Sequence, residues 1–170
     1  MTNSISQSLL PEFDMEIANT RKTLERVPEG RPDYRPHGKS MTLARLAGHV
    51  AEIPTWAIMT LAHDELDLGA GDGPKAGYVM TSRQDLLSRF DEETKKARAV
   101  LASTTDEAMM RTWTLKNGAQ TMMSLPRVAV MRSFVMNHMI HHRAQLGVYL
   151  RLNDVAVPSI YGPSADEGGM

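Results

Sequence analysis

Apolar residues recur along the chain at the three- and four-residue spacing of amphipathic helices, in four separate stretches. In the first, Leu10, Phe13, Ile17, Leu24 and Val27 share one face. Pro11 suits a first turn, where its missing N–H has no partner, so a helix is predicted from Leu10 to Arg26. Three prolines and two glycines mark Pro28 to Ser40 as a loop. Thr42 is the expected N-cap of a second helix, with the inward stripe Leu43, Leu46, His49, Val50, Ile53, Ala57 and Leu61 and an end near Asp67. Pro54 within that stripe predicts a kink or the loss of one hydrogen bond. Leu68 to Pro74, with Gly69, Gly71 and Gly73, reads as a flexible connection and lacks the Lys-Ser/Thr ending of a phosphate-binding loop. Ser82 and Asp85 form a capping box ahead of the third stripe, Leu86, Phe90, Ala97 and Leu101. On its outer face Asp91, Glu92, Glu93, Lys95 and Lys96 read as solvated pairs rather than a catalytic carboxylate cluster.

The helical period breaks between Thr104 and Thr121. There Trp113 and Leu115 alternate with polar neighbours and Asn117-Gly118 is a turn signal, so the stretch is an irregular excursion or a short hairpin. The last helix is predicted to be the longest, Ser124 to Leu152, with Val128, Met131, Val135, Met139, Leu146 and Tyr149 among its apolar positions. Beyond Asn153 prolines and glycines end the helix, and residues 158–170 are expected to form a loose tail. Together the stripes predict one domain over residues 1–170, all-α, built as a four-helix bundle whose longest connection, a candidate crossover, precedes the last helix.

Composition narrows the chemistry. With 19 basic and 20 acidic residues the net charge is −1, which gives no electrostatic reason for binding nucleic acid or an anionic membrane. No apolar run approaches the ~20 residues of a bilayer span, and no secretory signal opens the chain, so a cytoplasmic protein is expected. The absence of cysteine excludes disulfides, thiolate-ligated metals and a cysteine nucleophile. Thirteen methionines, seven of them between Met109 and Met139, read as packing rather than as ligands.

Histidine and carboxylate side chains remain as metal ligands. His138 and His142 are four residues apart, hence one turn apart on one helical face, and they continue the inward stripe of the last helix. His141 points ~60° to ~100° away from them and reads as a structural or supporting hydrogen-bonding group. His49 occupies the inward stripe of the second helix, so a three-histidine site forms if the two faces meet. The competing reading is a set of hydrogen-bonded core histidines. His37 and His63 read as surface residues. Glu52, three residues after His49, is either an orienter of that ligand, a general base for bound water, or a surface carboxylate. Trp56 walls a pocket above the metal or is simple core, and Arg143 recognises an anionic substrate or forms a salt bridge. Imidazole ligands suit zinc, nickel, iron or copper.

The run His138-Met-Ile-His141-His142-Arg143-Ala-Gln145-Leu146, with Tyr149-Leu150-Arg151 and Val157-Pro158, closely resembles the final helix of the DinB-like family of damage-inducible bacterial proteins. Leu43-Ala-Arg-Leu46-Ala-Gly-His49-Val-Ala-Glu52-Ile-Pro54-Thr-Trp56 resembles the family's second helix with its single ligand histidine, and Leu9-Leu10-Pro11-Glu12-Phe13 its opening. The resemblance implies a four-helix bundle with a long crossover, a homodimer, a role in the stress response, and metal ligands at His49, His138 and His142. Family members of known activity include thiol-dependent transferases and isomerases, in which the metal is taken to activate a low-molecular-weight thiol. The expectation is thus a metal-dependent enzyme with one divalent ion (zinc, nickel or iron), a small-molecule substrate and a water or cosubstrate thiol as nucleophile. Its rivals are a non-catalytic protein with a structural metal and a metal-free interaction module using the region around Trp113.

Overall fold

The computed structural model describes residues 4–70 and 77–168; Gly71, Gly73 and Pro74 of the expected flexible connection lie outside the described residues. Helix α1 spans Ile5–Leu24. It begins before the predicted Leu10 because Ser4 and Gln7 form a capping box and Asp106 accepts a hydrogen bond from the Ile5 N–H at 2.8 Å. Helix α2, Leu43–Ala62, starts at the expected cap: the Thr42 hydroxyl accepts from the Arg45 N–H. It runs on through buried Pro54, whose missing N–H leaves the Val50 carbonyl without its usual in-helix donor.

The end of α2 departs from expectation. The helix stops at Ala62, and Glu65–Asp67 forms a short strand, β1, where helix was predicted. Helix α3, Arg83–Ser103, follows its Ser82 cap, and a short helix α4, Asp106–Met110, is too brief to show a period. The region around Trp113 is the hairpin of the two options: β2, Thr112–Asn117, pairs antiparallel with β3, Gln120–Pro126, and parallel with β1. At its tip Gly118 has φ +58°, the left-handed conformation that the Asn-Gly signal anticipates. The chain is therefore mostly helical with a small three-stranded sheet, not all-α. Trp113 and Leu115 point into a satellite core with Val130, Leu66, Met123 and Phe134, which is why this excursion takes a two-residue period.

The last helical run starts at Arg127 rather than Ser124, because Ser124 to Pro126 complete β3. One α-helical turn, α5 (Arg127–Val130), leads into a π-helical segment, Met131–Met136, and then into α6, Asn137–Leu152. Each of α1 and α2 packs against α3 and against α6. Phe13, Leu24, Leu46, Ile53, Leu86, Phe90 and Leu146 are fully buried between them. Met109, Met131, Met136 and Met139 fill this core, whereas Met110 and Met122 are exposed. Among the described residues no helix is long and apolar enough to cross a membrane. Beyond Asn153 the chain is irregular, yet up to residue 168 it is tied down rather than loose. Tyr161 O–H donates to Glu16 at 2.7 Å, the Ser159 N–H donates to Glu167 at 2.9 Å, and Arg26 pairs with Glu167.

Candidate metal centre

Helix α2 and helix α6 pack face to face, and this contact brings together histidines far apart in sequence. His49 Nε2 lies 3.0 Å from His138 Nε2. The ring centres of His49 and His138 are each 4.5 Å from that of His142. One nitrogen from each of the three lies within 4.8 Å of the other two. His49 and His142 are buried and His138 half-buried. The helical spacing of His138 and His142 thus holds, and the stripe of α2 meets it as expected.

The hydrogen bonds behind these rings fix which nitrogen faces inward. His49 Nδ1 is 2.8 Å from Glu52 Oε1, and since an ionised carboxylate only accepts, the Nδ1 carries the proton and Nε2 presents a lone pair. His142 is set the same way: its Nδ1 is 2.8 Å from Gln145 Oε1, and the Gln145 amide donates to His141 Nε2 at 3.0 Å. Two facing lone pairs at the 3.0 Å separation of His49 and His138 repel, so a proton or a cation is needed between them. Two nitrogens each about 2.1 Å from one ion stand about 3.0 to 3.4 Å apart, between a right angle and a tetrahedral angle. The His49–His138 pair stands at that separation, and the three nitrogens together form a group that could hold one metal ion.

Glu52 is fully engaged. Its Oε1 also accepts from Arg45 Nη2 at 2.9 Å, and its Oε2 accepts from the Tyr78 N–H at 2.7 Å. Burial raises its carboxyl pKa, but the bonds from His49, the Tyr78 N–H and Arg45 outweigh that and hold it below the usual range. Burial first, then the neighbouring imidazoles, push His138 down to about 4, and burial likewise lowers His142. Imidazoles held neutral are in the form that ligates metal.

The Tyr78 backbone reaches Glu52 only because α2 carries Gly48: a Cβ there would lie 2.1 Å from the Tyr78 carbonyl oxygen. Arg45 closes the arrangement by donating to that carbonyl at 3.1 Å. Gly48, Arg45, Tyr78 and Gln145 were not singled out by sequence reasoning. Gln145 was readable as the third residue after His142, on the same face. Tyr78 carries no local signal, since its role depends on a long-range approach.

Trp56 stands beside the histidines, its ring 4.9 Å from His138 and stacked at 4.9 Å on Phe134. A cleft of about 370 Å³ opens onto His49, Glu52 and Trp56, with Arg45 and Thr55 on its wall. A second, of about 380 Å³, opens onto His142 and Gln145 from the side of Met41 and Tyr149. Arg143 is not part of either. It is buried against α1, with Nη1 2.7 Å from Glu16 and Nη2 donating to Tyr161 at 2.6 Å, so it forms the salt bridge of its two candidate roles. It borders a separate groove of about 410 Å³ between α6 and the C-terminal segment. His37 and His63 are exposed.

Comparison with known proteins agrees with this architecture. A DinB-like protein of Bacillus subtilis superposes with a TM-score of 0.67 at 19% identity, covering 90% of this chain and 96% of that one. A DinB-like protein of Bacillus cereus does so with a TM-score of 0.67 at 20% identity, covering 95% and 100%. At these identities the likeness establishes the fold. Among curated proteins none matches the chain. The sequence model of the DinB family matches residues 1–168, so the chain belongs to the DinB family.

Proposed function

We propose that the chain is a metal-dependent enzyme in which His49, His138 and His142 hold one divalent ion and a small-molecule substrate enters by the cleft beside Trp56. The observation that carries this reading is the convergence of three imidazole nitrogens, with the outer ring positions of two of the rings, His49 and His142, already committed to Glu52 and Gln145. A bound ion with open positions supplies Lewis acidity, lowering the pKa of a water or of a small thiol. The protein's own groups prepare for that. Glu52 holds the proton on His49 Nδ1, and because both its oxygens are occupied its role is orientation rather than proton abstraction. Trp56 and Phe134 form an apolar wall that limits water on one side. Since the chain has no cysteine, a reacting thiol comes from a cosubstrate.

Metal analysis by mass spectrometry on protein purified without chelator, beside the His49/His138/His142→Ala variant, tests the reading. About one ion per chain in the parent and none in the variant supports it; no metal in the parent, even after incubation with zinc, nickel, iron and manganese, refutes it. Because the three ligands join α2 to α6, a purely structural ion is the second reading. A panel of low-molecular-weight thiols with electrophilic acceptors separates the two, since only an enzyme turns them over in a metal-dependent way.

A further inference from the structure

Behind Trp56, on the side away from the Glu52 cleft, lies a chamber of about 210 Å³. It is walled by Trp56 and Thr60 of α2, Leu66 of β1, Trp113 and Leu115 of β2, and Phe134 of the π-helical segment. Trp56 and Met59 are common to the chamber and to the cleft that holds His49, so the two spaces share a wall. Leu68, 44% exposed, also lines it, so the chamber is reachable from solvent. Two of the wall residues also bury polar atoms, Thr60 Oγ1 and Trp113 Nε1, that have no hydrogen-bond partner among the described residues. Thr60 and Trp113 are each only 1% exposed. An unpaired buried donor carries a penalty of about 1–3 kcal/mol, which a ligand with an acceptor removes.

We propose that this chamber binds the apolar end of the substrate: a neutral group about the size of one substituted aromatic ring, bearing one hydrogen-bond acceptor for the Trp113 indole N–H. A cavity of about 150 Å³ takes benzene, so the chamber accommodates a ring with a short substituent. A charged group is excluded, since no charged side chain lines the space. Thr60, a donor or an acceptor, serves a second polar atom of the same ligand. The Trp56 ring that walls the chamber is 4.9 Å from the His138 ring and 5.5 Å from the His49 ring, so the bound group sits beside the histidines; that part of the inference rests on the metal-centre reading.

The chain has two tryptophans, Trp56 and Trp113, and both line the chamber, so their two indole N–H resonances report its occupancy directly. Titrating ¹⁵N-labelled protein with acetophenone is expected to shift the Trp113 indole N–H saturably, with ring-proton NOEs to the methyl groups of Leu66 and Leu115. Benzoate, similar in size but charged, is expected to shift neither indole. Leu66→Phe, which fills the space, is expected to weaken acetophenone at least tenfold. No saturable shift, NOEs confined to residues outside the chamber, or equal binding by a folded Leu66→Phe variant overturns the proposal; should that variant fail to fold, the NOEs decide. The titration is run on metal-free and on cobalt(II)-treated protein. Acetophenone protons relaxed by cobalt support the placement beside the histidines. Binding with no cobalt uptake overturns the link to a metal centre while leaving the chamber, and cobalt uptake without acetophenone binding overturns the chamber alone.

Discussion

Single side chains decide how the histidines are presented. Glu52 holds the His49 ring in one tautomer and draws on Arg45 and the Tyr78 N–H to stay ionised while half-buried. Glu52→Gln keeps the shape but loses the charge, and it is expected to weaken zinc affinity by about 10–100-fold, as changes behind a ligand do. Isothermal titration of the metal-free protein checks this, and unchanged affinity would leave Glu52 a structural residue. His138 sets a pH dependence. Its pKa falls from 6.5 in an open chain to about 4 in the folded protein. The unfolded chain therefore binds the extra proton first, so the stability present above pH 6.5 is lost progressively as pH falls toward 4. Melting curves of chelator-treated protein between pH 7.5 and 4.5 are expected to show that loss, and His138→Gln to flatten it. The ligands themselves were legible in sequence because an i,i+4 pair on an apolar stripe has one direction to point. The role of Arg143 was not, since a cation's partner is invisible until the fold places Glu16 beside it.

Elements were legible where one period ran long and illegible at their joints. Thr42 and Ser82 announce α2 and α3 because capping is a local property. The end of α2 and the start of the last helical run were misplaced by strands β1 and β3, whose pairing with β2 is long-range or lacks alternation. The π-helical segment has no signature of its own. Its wider turn takes up an extra residue, so the apolar stripe after Met136 is offset from the stripe before Met131. Gly48 is the other hidden joint. In a free helix Gly48→Ala would gain about 1 kcal/mol. Here the added carbon would lie 2.1 Å from the Tyr78 carbonyl, so a net loss of about 1–3 kcal/mol and weaker zinc binding are expected. Denaturant midpoints and metal titration of that variant check both; a more stable protein would contradict the close approach.

At the scale of the molecule, two separate ties join the helices. The histidines link α2 to α6, and the buried Arg143–Glu16 pair, capped by Tyr161, links α6 to α1 and the C-terminal segment. Removing one partner of a buried pair leaves an uncompensated charge, so Arg143→Met is expected to cost about 3–5 kcal/mol. Its metal content is expected to be unchanged, because none of the Arg143 bonds reaches the histidines. Mass spectrometry and thermal melting on one preparation test both halves, and lost metal with intact stability would restore Arg143 to the site. The helical core and its longest connection were readable from the apolar pattern. The docking of residues 158–168 was not, since Tyr161, Asp166 and Glu167 act through hydrogen bonds to distant helices rather than through any period.

The His49–His138 contact spans 89 positions of chain. Closing so long a loop carries a large entropic cost, and such contacts tend to form late on the folding path, after the local helices. A ligand gripping both residues then acts mainly on the return journey: it leaves the climb to the transition state nearly unchanged and deepens the well that the native protein must escape. An ion at this centre is in that sense a latch on lifetime, governing how long the assembled molecule survives proteases and heat more than how quickly it assembles.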